Sequence, residues 1–245
     1  MLLNMSSQIN PNLYTELLKL LHDSFPNFSS QWVESRKMFG EEWENLFCES
    51  VSRIISPKVD STWVDLLSGY AEFCTDAIRS HIYFEKHGCY QASNYGEVDS
   101  ACYQNKEFMD RRYLPGLYLS HFIWPHHYKM LLNYRDSFLP RICDDEINLF
   151  YEIGTGCGLY SQVTLARLPH AKGLGIDISS FSLNFTNRII RANNLEDRYS
   201  VSNQNILKSP MIRKADFVIC QEVLEHLEEP DQMVNRLFDS VKSGG

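Results

Sequence analysis

The segment EIGTGCG, from Glu152 to Gly158, sets a carboxylate two positions ahead of three alternating glycines. An apolar run, INLFYEI (147–153), leads into it, and a helical pattern follows. The glycines therefore stand where a buried strand turns into a helix. Glycine there lets the backbone turn tightly and approach a ligand closely. A dinucleotide fingerprint needs its third glycine at position 159, which is Leu159, and a triphosphate loop needs GKS or GKT, which the chain lacks. The glutamate suits a cationic or amino-bearing ligand. Asp177 stands in the next apolar run, GLGIDI (173–178), 21 positions after Gly156. An acid there lies at the tip of the neighbouring strand, where it accepts both hydroxyls of a ribose. Together the two features describe a pocket for a nucleoside with an amino-acid tail.

The elements that would hold these residues alternate. Strands are expected at 147–153, 173–178, 199–203 and 215–220, and helices at 160–168, 181–193 and 231–241. That order is an α/β unit with a parallel sheet, placed at 141–245. Residues 1–140 read as a helical N-terminal domain. Leu13, Leu17, Leu18, Leu20 and Leu21 form one apolar stripe, broken by Phe25, Pro26 and Asn27. A second helix spans about 30–55, with Gly40 as an interruption. A third follows from Trp63, capped by Asp60 or Ser61. A loop is expected between about 87 and 100. Helix returns from 105 to 138, with Pro115-Gly116 and Pro125 as breaks.

Composition narrows the function. Of the 245 residues, 44% are hydrophobic and 22% charged, with a formal net charge of −8. The acidic balance argues against a chain built to grip a nucleic-acid backbone. No apolar run is long enough for a membrane span, and the N-terminus lacks the basic and apolar regions of a secretory signal. The seven cysteines include no CxxC pair, which points to free thiols in a reducing cytoplasm and away from cysteine-bound zinc.

On these motifs the part from residue 147 onward resembles the first half of a class I S-adenosylmethionine-dependent methyltransferase. The glycine motif matches Glu152, Gly154, Gly156 and Gly158, the second-strand acid matches Asp177, and the fourth-strand motif matches DFVICQEVLEH, Asp216 to His226. The resemblance implies a Rossmann-like sheet behind a helical lid and S-adenosylmethionine as cofactor. It implies cofactor contacts at Glu152, Gly154, Thr155, Gly156, Gly158, Asp177, Ile178, Asn205, Ile206 and Gln221. Asn205 stands where the family usually has an aspartate near the adenine amino group, and the Ile206 backbone would face the ring. The family's sheet has seven strands, and this sequence ends after the fourth. The expectation is a shortened or split chain with an open strand edge, or a chain that pairs with a second copy to cover it.

Glu222, Glu225 and His226 would share one side of a helical turn after strand four, a spacing that can ligate a divalent ion. Small-RNA 2′-O-methyltransferases resemble this, but so do small-molecule enzymes of the family, and no metal is assigned. Glu222 is instead placed at the substrate mouth. The stretch from Arg111 to Tyr128 gathers Tyr113, Tyr118, Trp124 and Tyr128 as substrate walls and His121, His126 and His127 as candidate bases. The leading expectation is a cytoplasmic methyltransferase acting on a small-molecule acceptor, with secondary metabolism as a setting. A metal-assisted RNA 2′-O-methyltransferase and a non-catalytic S-adenosylmethionine-binding or dimerising subunit are the alternatives.

Overall fold

The computed structural model describes residues 10–55, 62–89, 105–142 and 147–243. The chain divides into two compact units, with the described boundary between Asn133 and Tyr134. Tyr134–Arg141, grouped by sequence with the helical half, thus belongs to the α/β unit.

The helical unit opens with α1 (Leu13–Ser24) and α2 (Pro26–Ile54). Only Phe25 separates them, because Pro26 does not end a helix here but starts one, at the position where a missing N–H is harmless. Gly40 interrupts α2 as expected: its φ of 78° and ψ of −161° kink the helix. The third helix, α3 (Trp63–His87), is capped by neither Asp60 nor Ser61, which lie outside the described residues. Thr62 caps it, and its hydroxyl and the Asp65 carboxylate satisfy each other's backbone N–H groups. Gly88 closes it in the left-handed conformation. The loop expected to follow lies largely outside the described residues.

Pro115 and Gly116 do not break the helix that follows. A π-helical turn, Met109–Tyr113, runs into α4 (Leu114–Ile123), and Pro115 sits in the first turn of α4. The wider turn accommodates the proline, which cannot donate to the carbonyl of Arg111. Gly116 serves close packing: a Cβ there would lie 2.2 Å from Phe73 Cβ on α3. Trp124, extended before Pro125, ends α4, and α5 (Pro125–Asn133) follows. Trp43 stacks on Phe47 with centroids 5.2 Å apart. The Trp43 indole and the Ser35 hydroxyl donate to the carbonyls of Phe122 and Ile123, two acceptors that the end of α4 leaves without helical partners.

The α/β unit carries β1 (Leu149–Ile153), α6 (Leu159–Arg167), β2 (Lys172–Asp177), α7 (Ser180–Ala192), β3 (Tyr199–Asn203), β4 (Phe217–Ile219) and α8 (Pro230–Ser240). All pairings are parallel, in the order β3-β2-β1-β4. The expected fold class is borne out. One face of the sheet buries Tyr151, Ile153 and Ile176 with Ile206 and Met233. The other turns Phe150 onto Phe217, with centroids 5.4 Å apart. Asp216 starts the sheet by accepting from the N–H groups of Asn148 and Leu149, at 2.7 and 2.8 Å. Beside the start of β4, Ala215 bridges in parallel to Val241. Five described cysteines, Cys48, Cys74, Cys89, Cys157 and Cys220, form no disulfide.

Candidate functional site

The glycine loop stands at the carboxyl end of β1, beside the change in winding direction between β2 and β4. That is where open α/β sheets hold ligands. Gly154, Gly156 and Gly158 all take positive φ, at 70°, 50° and 73°. Space adds a second demand. A Cβ on Gly154 would lie 2.4 Å from Val223 Cγ2, and one on Gly158 would lie 2.7 Å from Thr186 Cγ2. The loop is tied down by Gly154 N–H to Ile176 O at 2.7 Å and by the Thr186 hydroxyl to Gly156 O at 3.0 Å.

Asp177 is half-buried at the tip of β2. Its Oδ1 accepts from Ser179 N–H at 2.8 Å and its Oδ2 from Gly156 N–H at 3.1 Å. Burial pushes its carboxyl up to about 6, against these donors. Each oxygen keeps a second lone-pair direction, which a vicinal diol can use. Ile178 beside it is 36% exposed, an apolar surface next to a polar tip.

Glu152 is 4% exposed. It shares its face of β1 with Phe150, so the carboxylate enters an apolar layer. Its Oε2 accepts from the Ser161 N–H and the Thr155 hydroxyl, both at 3.1 Å, and from the Ser161 hydroxyl. Burial drives its carboxyl up to about 7, with Asp177 adding to the rise and the Ser161 and Thr155 donors opposing it. Cys157 is buried inside the loop and its thiol is pushed up to about 12, so it stays protonated.

Further along, Asn205 turns its side-chain carbonyl onto Leu207 N–H at 2.9 Å, and Ile206 is buried. Gln221 is half-buried. The helical trio after strand four does not form. Glu222 has a φ of 54° and Val223 is non-helical, so only the single 3₁₀ turn Leu224–His226 follows. Glu222, Glu225 and His226 are exposed. Among the described residues no set of three His, Cys, Asp or Glu side chains is grouped to hold a metal ion.

In the helical unit, Tyr118 and Tyr128 are buried, Tyr113 and Trp124 half-buried. His121 and His127 are buried, and His126 is exposed. Burial lowers His121 to about 3 and His127 to about 4, each helped by a neighbouring imidazole. The Ser120 hydroxyl donates to Leu117 O at 2.7 Å and lies 2.9 Å from His127 Nδ1. A hydroxyl has one proton, so Nδ1 carries the hydrogen and Nε2 the lone pair.

Sequence reasoning missed Ser161 and Tyr199, whose hydroxyls meet at 2.8 Å beneath the glycine loop. The only sequence signal for them was the pair Gly173 and Gly175 on one face of β2, which marks a close approach to that face.

Comparison with known proteins matches residues 151–245 to a methyltransferase-domain family. The chain is 30% identical over 110 residues to a ubiquinone biosynthesis O-methyltransferase of Pseudomonas fluorescens (strain SBW25), covering 42% of this chain and 45% of that protein. It is 32% identical over 98 residues to the protein of the same name from Cupriavidus pinatubonensis (strain JMP 134 / LMG 1197), covering 38% and 37%. The chain thus spans less than half the length of these curated relatives. Among solved structures, mitomycin 7-O-methyltransferase MmcR is 12% identical, with a TM-score of 0.47 over 78% of this chain and 49% of that one.

Proposed function

We propose that the chain, whose residues 151–245 match a methyltransferase-domain family, is a class I S-adenosylmethionine-dependent methyltransferase that binds S-adenosylmethionine at the loop after β1 and directs methyl transfer to an oxygen of a small-molecule acceptor. The observation that carries the reading is the Asp177 carboxylate held against Gly156 N–H at the tip of β2. It fits a ribose diol beside a loop whose backbone a ligand can approach. The printed names of the relatives, all O-methyltransferases, support oxygen as the acceptor atom.

When bound, the cofactor supplies an already activated methyl on a sulfonium. The protein's own task is then alignment and exclusion of water. Asp177 accepts from the ribose hydroxyls, and Ile178 and the backbone of Ile206 flank the adenine. Gly154, Gly156 and Gly158 shape the backbone for the amino-acid tail. Where the acceptor hydroxyl must lose its proton, we assign the base to the histidines around the α4–α5 turn, among which His126 presents an exposed ring.

Two measurements test the reading. Calorimetry should show S-adenosylhomocysteine binding to the full chain, weakened by Asp177→Ala. Incubation with S-adenosylmethionine and a panel of small hydroxylated acceptors should release S-adenosylhomocysteine with at least one of them. Unchanged affinity in a folded Asp177→Ala protein would overturn the site assignment.

A further inference from the structure

Gly173 and Gly175 lie on the same face of β2, and the Tyr199 ring crosses it. A Cβ on Gly175 would stand 2.1 Å from the Tyr199 hydroxyl, and one on Gly173 would stand 2.6 Å from its Cδ2. The cleared space lets the hydroxyl reach Thr155 Oγ1 at 3.1 Å and Ser161 Oγ at 2.8 Å. Both of those hydroxyls also meet Glu152 Oε2. Four oxygens, from β1, the glycine loop, α6 and β3, therefore close a ring, and all four residues are buried.

We propose that Tyr199 is a positioning residue for the cofactor loop: its hydroxyl completes a four-oxygen ring that shares one exchangeable proton with Glu152 and couples the loop to pH. The proposal rests on the reading of this loop as the S-adenosylmethionine site.

The argument is a count of protons. The ring has four oxygen–oxygen contacts and three hydroxyl hydrogens. With Glu152 ionised, one contact has no hydrogen. A proton taken from water onto Glu152 supplies the fourth, and donation runs from Glu152 to Ser161 to Tyr199 to Thr155 and back. Raising the pH returns that proton to solvent. The titratable groups around Glu152 are Asp177 from β2, Tyr199 from β3, Cys157 in the loop, Tyr160 from α6, Tyr134 before the sheet and Cys220 after β4. Each is neutral or anionic, so none of them favours the ionised carboxylate. Burial pushes Glu152 up to about 7, where the exchange falls in the physiological range.

Two substitutions move the exchange in opposite directions. Tyr199→Phe keeps the ring's packing but removes the hydroxyl. Thr155 and Ser161 then both donate to an ionised Glu152 with no contact unbridged, whereas a protonated Glu152 leaves one hydroxyl without an acceptor in the ring. The midpoint falls. Ser161→Ala takes a donor from the carboxylate, and the midpoint rises. A merely structural role, in which either change loosens the layer and admits water, would lower both.

The test is an infrared titration of the buried carboxyl in the full chain, with the band assigned by its loss in Glu152→Gln. Each midpoint should shift by about one pH unit, roughly tenfold in proton affinity, downward for Tyr199→Phe and upward for Ser161→Ala. In parallel, the pH profile of S-adenosylhomocysteine affinity should move with the midpoint. Shifts in the same direction, or profiles that superimpose on the wild type, overturn the proposal. If the carboxyl titrates as described while the wild type binds no S-adenosylhomocysteine, the cofactor reading fails and the proton ring stands.

Discussion

The Gly156 N–H donates to the Asp177 carboxylate at 3.1 Å, so the turn after β1 and the tip of β2 form one hydrogen-bonded unit. Removing the carboxylate does two things: it frees the loop and deletes the acceptor proposed for the ribose. Asp177→Ala should weaken S-adenosylhomocysteine binding by about 1–3 kcal/mol, the scale for charge-assisted hydrogen bonds left unmade. Acid should mimic the substitution. The Asp177 carboxyl is raised to about 6, so affinity is full above that value and falls as the pH drops through it. Calorimetry across pH 5 to 8 checks both effects, and the variant should lose that portion of the pH dependence.

The approach of Tyr199 to β2 gives a second, sharper expectation. Gly175→Ala would place a methyl 2.1 Å from the Tyr199 hydroxyl and 2.9 Å from its Cζ. Overpacking of this kind costs about 1–3 kcal/mol. Tyr199→Phe removes the nearer clash but leaves the ring carbon. The double variant should recover part of the loss, and denaturant unfolding of the four proteins in the cycle should give a favourable coupling energy. Purely additive losses would show that the two positions do not meet.

The glycine loop and the second-strand acid were legible because their signals are local. Gly154, Gly156, Gly158 and Asp177 each sit at a strand tip that the chain order alone defines. The strand and helix order was legible for the same reason, since hydrophobic periodicity fixes type even where ends move by a residue or two. The oxygen ring was not. Glu152, Thr155, Ser161 and Tyr199 come from four parts of the unit, with β2 and α7 standing between Ser161 and Tyr199 in the chain, and only the folded sheet brings Tyr199 to the other three. Pro115 misled because propensity is a local rule and the π-turn before it supplies the width that the proline needs. The Glu222–His226 spacing misled because it presumed a helix, and the left-handed backbone of Glu222 prevents one from starting there.

His121 and His127 make the helical unit sensitive to acid. Their folded values, about 3 and 4, lie below the ordinary imidazole value of 6.5. As pH falls from 6.5 the unfolded chain binds protons that the buried rings refuse. Stability from this source is therefore full above 6.5 and is lost toward about 4 for His127 and about 3 for His121, on the order of 3 to 5 kcal/mol per group. Glu152 and Asp177 act with the opposite sign: their raised carboxyls gain stability on protonation as pH falls through about 7 and 6. The informative quantity is thus the difference between variant and wild type. His127→Gln should show a smaller drop in Tm than the wild type between pH 7 and pH 5.

The same burial decides which histidine can serve as a base. Proton abstraction by a positioned group follows its basicity and its reach. His121 fails on both counts: its ring is buried and burial lowers its basicity to about 3. His127 has its lone pair on Nε2, because Nδ1 is turned onto the Ser120 hydroxyl. However, its ring is only 6% exposed and its basicity is also low. His126 is exposed, with its ring centroid 5.7 Å from Trp124 and 4.4 Å from His127. If the acceptor must be deprotonated by the protein, His126→Ala should lower kcat by about 10²-fold or more, the usual scale of general-base catalysis. The S-adenosylhomocysteine affinity and Tm should stay near wild type. His121→Ala should instead lower Tm by opening a cavity, with the smaller effect on turnover. Steady-state kinetics with a turned-over acceptor, set beside melting curves for each variant, separates the two patterns. Near-normal kcat in His126→Ala would mean that the acceptor reaches the methyl without a histidine base, and that the exposed imidazole has no part in the transfer.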